Sequence, residues 1–127
     1  GEHVIGKEVE TALQEAISGT VIRINEFTVA PQITPTEGLP YHEWFIEFEN
    51  EPEDMLTFSE TIDTAMRKQN VYYDDLIAGK VLRCLVITPV VKNGFQDYMK
   101  SIGKLGGQNK IPRLSNDRSL VDLLKTK

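Results

Sequence analysis

YHEWFIEFE, residues 41–49, is the cleanest alternation of apolar and polar side chains in the sequence. Successive side chains of a strand point to opposite faces. Trp44, Ile46 and Phe48 therefore turn one way, and Glu43, Glu47 and Glu49, with Phe45 among them, turn the other. The reading is a strand with one buried face and one mostly acidic, exposed face. Three prolines and a glycine in residues 31–40 make the preceding stretch a loop. Before it, TVIRINEFTVA (20–30) reads as another strand. Its alternation changes phase near Asn25–Glu26, since Ile22 and Ile24 share one parity and Phe27 and Val29 the other; this predicts a bulge or bend. The loop of about ten residues lets the two strands pair antiparallel.

Helical periodicity surrounds this pair. Val9, Leu13, Ala16 and Ile17, with Ala12 beside them, share a face over 6–18, and Gly19 ends that helix. A second helix runs from about Asp54 to Gln69 on a stripe of Phe58, Ile62, Ala65, Met66 and Gln69, and a shorter piece covers about 71–78. VLRCLVIT (81–88) reads as a third strand closed by Pro89. Asn93 is placed to cap a helix over 94–102 whose inner face is Phe95, Tyr98, Met99 and Ile102. Ser115 or Asn116 begins a last helix with Leu120, Leu123 and Leu124 inward. The order predicts an α+β fold, a small and mostly antiparallel sheet of about three strands with helices packed on one face, forming one domain over 1–127.

The chain's 127 residues suffice for a real core, and 40% hydrophobic with 26% charged residues is ordinary globular composition. No apolar run approaches the ~20 residues of a membrane helix, and the first residues do not read as a signal peptide. The single cysteine, Cys84, excludes an internal disulfide framework and points to a reducing, cytoplasmic setting. There is no initiator methionine; GEHVIGKEVE reads as the middle of a longer protein, or Gly1 is a cloning scar. The net charge of −5 is divided unevenly, −12 over residues 1–63 and +7 over 64–127. That balance argues against a nucleic-acid surface and allows one focused site for a small anion.

The cationic half contains GKLGGQNKIPRLSNDR, residues 103–118. Glycine and proline there prevent a long helix or strand. Gln108, Asn109, Lys110 and Arg113 are side chains that bind carboxylates and phosphates. The stretch is either a lysine-rich surface connection or a device for presenting a cation, with Pro112 stiffening the backbone just past Lys110. Other candidates have plainer readings. His3 and His42 have no metal-ligand spacing, and His42 reads as a surface residue. Cys84 lies in an apolar run and reads as a structural thiol. Glu43, Glu47 and Glu49 read as a solvated face. Gly103-x-x-Gly106-Gly107 is not a Walker sequence.

Ser101-Ile102-Gly103 followed by Gln108-Asn109-Lys110-Ile111-Pro112-Arg113 resembles the SRG-x-x-x-x-Q-x-K-V-P-R pattern of the auxin-responsive Gretchen Hagen family of acyl acid-amido synthetases, in particular its bacterial relatives. NGFQDYM (93–99) is similar to that family's G-T-F-x-x-L/W-M helix, LPYHEWFIEFE (39–49) to its G-H-Y-x-x-x-W/F-E segment, and GEHVIGKEVETAL (1–13) to the opening of its C-terminal domain. Asn109 and Lys104 depart from the pattern of many plant members, which carry tyrosine and alanine there.

The family resembles the wider acyl-adenylate-forming enzymes, which have a large N-terminal domain and a small, mobile C-terminal lid. The resemblance implies that this chain is the lid and that Lys110 is the catalytic lysine carried to the carboxylate and α-phosphate. Gln108 and Arg113 would bind substrate or nucleotide. It implies ATP and Mg2+ as cofactors of the full-length enzyme, with carboxylic acid and amino acid substrates. Its partner would be its own N-terminal adenylation domain, with neither nucleic acid nor membrane. The large domain is absent from this sequence, so the domain alone is expected to be inactive. An alternative from the residues alone is a stand-alone α+β module that binds an anion or a protein.

Overall fold

The computed structural model describes residues 4–104 and 110–127. Helix α1 (Gly6–Ile17) opens the fold, with Val9, Ala12, Leu13 and Ala16 buried at helical spacing. The Ile5 backbone N–H donates to the Glu8 carboxylate at 3.0 Å, closing its first turn. Strand β1 (Arg23–Gln32) and strand β2 (Tyr41–Asn50) pair antiparallel, with Phe27 opposite Ile46 and Val29 opposite Trp44. The register shifts on either side of Ile24 and passes over Asn25, where the alternation changes phase in the sequence.

Helices α2 (Met55–Gln69) and α3 (Val71–Ala78) follow. Asp54 caps α2 by accepting the Thr57 N–H at 3.1 Å, and Asn70 caps α3 by accepting the Tyr73 N–H at 2.9 Å. Together α2 and α3 form the crossover that a parallel pairing needs. It delivers strand β3 (Val86–Pro89) beside β2, parallel, with Glu43 opposite Val86 and Ile46 opposite Pro89. The sheet is thus a mixed three-stranded one in the order β1-β2-β3, whose antiparallel pair is the longer. β3 is shorter than the apolar run 81–88 suggests. The Val81 and Leu82 N–H groups turn back onto the Leu76 carbonyl at 2.9 and 3.1 Å to finish α3, which leaves only four residues for the ladder.

The sheet carries a core on each face, where the sequence suggested helices on one. Phe27, Val29, Trp44 and Ile46 pack against α1, α2 and α3 through Val9, Leu13, Phe58, Ile62, Met66 and Tyr73. On the opposite face Ala30 and Phe45 meet Val90, Ile111, Val121, Leu124 and Phe95 of helix α4 (Gly94–Ser101). Phe45 is the side chain that makes this second core necessary; burying one such ring is worth about 1.5–3 kcal/mol. The face read as acidic and exposed is covered accordingly. Glu47 is 5% exposed and Glu43 half-buried, and only Glu49 lies in solvent. His42, read as a surface residue, is buried with its ring stacked on Tyr73 at 5.5 Å between centroids.

The last helix is absent. Residues 121–123 form a single 3-10 turn, with Val121 and Leu124 buried but Leu123 65% exposed. The tail explains why: Lys125 accepts the Val91 N–H at 3.1 Å, and the Lys127 N–H reaches the Pro89 carbonyl at 3.0 Å. The chain must be extended again by Lys125, so a single turn is all that fits before it.

Candidate functional site

The two flanks of the glycine-rich stretch are both built into the fold. On the upstream side α4 ends in a Schellman arrangement: the Lys104 N–H donates to the Met99 carbonyl at 2.8 Å and the Gly103 N–H to the Lys100 carbonyl at 3.1 Å. Gly103 has φ +72°, a left-handed conformation that costs a residue with a Cβ and suits glycine. On the downstream side the chain returns at Lys110, which is exposed, and immediately anchors through Ile111, buried in the second core.

The next residues run along β1. Thr28 Oγ1 donates to the Pro112 carbonyl at 2.6 Å, the Val29 N–H to the Arg113 carbonyl at 3.0 Å, and the Ser115 N–H to the Val29 carbonyl at 2.8 Å. Residues 112–115 therefore act as a stub of extra strand, with a parallel bridge between Val29 and Leu114. Gln108 and Asn109 lie outside the described residues.

Lys104 and Lys110 stand on the rim of a groove of about 200 Å3 whose wall includes Tyr98, Met99, Ile102 and Leu120. Of the face expected to be the inner face of α4, only Phe95 is fully buried. Tyr98 and Met99 are partly covered and Ile102 is 41% exposed, so these side chains turn to the groove instead. The site is thus a groove of mixed character, apolar side chains and two cations lining it together.

Among the described residues five other cations in the second half of the sequence form ion pairs, Arg67 with Asp74 being one. Arg118 pairs with Glu43 at 3.0 Å, Lys127 with Glu51 at 2.6 Å and Lys68 with Glu15 at 3.6 Å. Arg113 pairs with Glu26 and, at 3.5 Å, with Glu10. Four of them, Lys68, Arg113, Arg118 and Lys127, pair with acids of the first half, which offsets part of the uneven charge. Among the described residues Lys110 has no ion-pair partner, and neither has Lys104 in the same groove.

The other candidate groups are engaged in structure. Glu43 accepts from the Thr88 hydroxyl as well as from Arg118. Glu47 accepts the N–H groups of Asn93 and Phe95. Asn93 itself has φ +65° and makes no side-chain cap, contrary to the sequence reading. Cys84 is half-buried, outside β3; burial first and the nearby Asp63 second push its thiol up to about 11. Tyr73 donates to Asp63 at 2.5 Å, and its phenol is pushed well above the ordinary range, chiefly by burial. Nothing in the sequence marks Glu47, Glu43–Arg118 or Asp63–Tyr73, because each forms across an interface that only the tertiary fold creates. Among the described residues no helix is long and apolar enough to cross a membrane.

A family model described as the GH3 family C-terminal domain matches residues 7–119. No curated protein sequence matches the chain. Among solved structures the fold is similar to a GH3.15 acyl acid amido synthetase, with a TM-score of 0.69 and 17% identity over 93% of this chain and 23% of that one. It is also similar to AtGH3.15 acyl acid amido synthetase in complex with 2,4-DB, with a TM-score of 0.70 and 15% identity over 94% of this chain and 25% of that one. The chain spans about a quarter of the length of these structures.

Proposed function

The chain belongs to the GH3 C-terminal domain family, and from that membership we propose that it is the mobile lid of an ATP-dependent acyl acid-amido synthetase, supplying Lys110 to the adenylation site. The observation that carries this is the setting of Lys110: an exposed cation on the rim of a groove, directly followed by a buried residue and a hydrogen-bonded stub of strand, and unpaired among the described residues while Arg113 and Arg118 are paired. Such an arrangement holds a charge outward without offering it an internal partner.

In the proposed reaction a carboxylate oxygen attacks the α-phosphorus of ATP, and the bond from that phosphorus to the bridging oxygen breaks, releasing pyrophosphate. An amino acid amine then attacks the acyl carbon, giving the amide and AMP. Lys110 offsets the negative charge of the carboxylate and α-phosphate as they meet. Gln108 and Arg113 belong to the same sequence pattern; Gln108 completes the site as a substrate- or nucleotide-binding side chain, while the Arg113 guanidinium is held by acids of its own domain. Mg2+ would be held with ATP on the large domain, which also contains the acid and amine pockets. The lone thiol of Cys84 fits a cytoplasmic enzyme. The domain by itself is expected to be inactive.

The test is made in the full-length enzyme. Lys110→Ala is expected to slow ATP–pyrophosphate exchange by ~10²–10³-fold, the scale for losing one preorganised donor. Amide formation from supplied acyl-adenylate should fall much less. Equal losses in the two half-reactions would refute the assignment, and unchanged exchange would favour an anion- or protein-binding module.

A further inference from the structure

We propose that Arg113 is a positioning residue for Lys110, acting through Glu10 and Glu26, and does not itself touch the nucleotide. The inference rests on the reading of Lys110 as the lysine of adenylation.

The Arg113 guanidinium is used within the domain. Its Nη1 donates to the Glu26 carboxylate and, at 2.9 Å, to the Phe27 carbonyl. Its Nε lies 3.5 Å from the Glu10 carboxylate on α1. Its face covers the Phe27 ring, 4.4 Å from the centroid. Two carboxylates surround one guanidinium, so the immediate site carries a formal net negative charge and repels a phosphate. To reach a nucleotide, Arg113 would have to release both acids and leave them facing the same anion. That is a poor design for an anion receptor and a sound one for a clamp.

What the clamp holds is the segment that follows Lys110. Arg113 ties it to α1 and β1 at once, while Gly6, the first residue of α1, comes close enough that a Cβ there would stand 3.6 Å from that of Arg113. Thr28 holds the Pro112 carbonyl, and Ile111 is buried in the core on the other side of the sheet. The three residues after Lys110 are therefore fixed by three different elements, and the lysine projects from a rigid base. A cation placed in advance loses less conformational freedom when the reacting groups arrive, and a displacement of about 1 Å from the productive position can cost up to 10²-fold in rate.

The experiment is a double-mutant cycle in the full-length enzyme, followed by ATP–pyrophosphate exchange. Arg113→Lys and Glu26→Gln are each expected to lower kcat by ~10-fold while leaving the KM for ATP within about two-fold. In the Lys110→Ala background neither should lower the rate further, since there is no lysine left to position. Glu26→Gln keeps the arginine and a hydrogen-bond acceptor, so it carries the cycle alone if thermal unfolding shows that Arg113→Lys does not fold. A rise in the KM for ATP on Arg113→Lys, or a loss that multiplies with that of Lys110→Ala, would mean direct contact with the nucleotide and overturn the inference alone. Unimpaired adenylation by Lys110→Ala would overturn the lysine assignment and this inference with it.

Discussion

Glu47 Oε2 lies 3.1 Å from the backbone nitrogen of Asn93, 46 residues later, so a carboxylate in the middle of β2 caps the helix that follows Asn93. The other oxygen faces the Phe95 N–H at 3.5 Å, and the Asn25 amide donates to the same carboxylate at 3.4 Å from β1. Helix N-termini leave unsatisfied N–H groups and favour negative charge. Here one buried acid meets both needs and welds α4 to the sheet. Glu47→Ala strips these donors of their acceptor in a buried site, and the expected loss is about 2–3 kcal/mol. Glu47→Gln, which keeps one acceptor oxygen, should lose less. Urea denaturation of the two variants measures this, and amide exchange in the first turn of α4 should accelerate in both.

Gly94 opens α4 at a point of close approach. A Cβ built there would stand 2.5 Å from Val90 Cγ1. Val90 is 1% exposed and stiff at χ1, so it cannot swing aside. Gly94→Ala is expected to destabilise by about 1–3 kcal/mol through overpacking, whereas Gly103→Ala meets nothing within 4 Å among the described residues and is strained by its positive φ. Thermal melts of the two variants separate steric conflict from backbone strain. The double variant Gly94→Ala/Val90→Ala should recover part of the steric loss.

How far the sequence discloses this fold depends on whether its pattern is local. The faces of α1 and α2, the bulge at Asn25 and the antiparallel pair are legible because helical and strand periodicity record them over adjacent residues. The second core is not: Phe45 among glutamates reads as an exception on a solvated face until α4 and the tail are seen to cover it. Leu120, Leu123 and Leu124 mimic a helical stripe, yet the pairing of 125–127 with 89–91 decides the backbone there. At the candidate site the anion-binding residue types are legible from Lys110 and its neighbours. That Arg113 is committed to Glu10 and Glu26 is not, since those partners lie more than 80 residues away in the chain.

Arg118 and Lys127 both pair with acids of the first half, but in different surroundings. The Arg118 and Glu43 side chains are 26% and 13% exposed, and Arg118 also donates to the Pro31 carbonyl at 3.2 Å. Removing the arginine leaves Glu43 with the Thr88 hydroxyl in place of a full charge partner. Arg118→Met should cost about 1.5–3 kcal/mol, the scale of a hydrogen bond to a charged group. Lys127 and Glu51 are 53% and 42% exposed, and Lys127→Met should cost less than about 0.5 kcal/mol, as is usual for surface pairs. Denaturation at low and at 0.5 M salt, where screening weakens exposed pairs more than buried ones, should narrow the already small Lys127 effect and leave the Arg118 effect largely intact.

Cys84 is the single thiol of the chain, so its alkylation can be followed in the unaltered protein. Burial, then the neighbouring Asp63, holds its pKa at about 11 against an ordinary 9.0. At pH 8 only ~10⁻³ of it is thiolate, and the thiolate is the reactive form. Iodoacetamide should therefore modify the folded protein at least ~10²-fold more slowly than the urea-unfolded chain, with a rate that rises about tenfold per pH unit between 8 and 10. The same shift acts on stability. A raised folded pKa favours the native state fully below the unfolded value, and the contribution is lost as pH climbs from about 9 through about 11. Cys84→Ser and Cys84→Ala variants should lose less stability than the parent over that window. Rapid alkylation of the folded protein at pH 8 would instead identify an activated thiol and overturn the structural role assigned to Cys84.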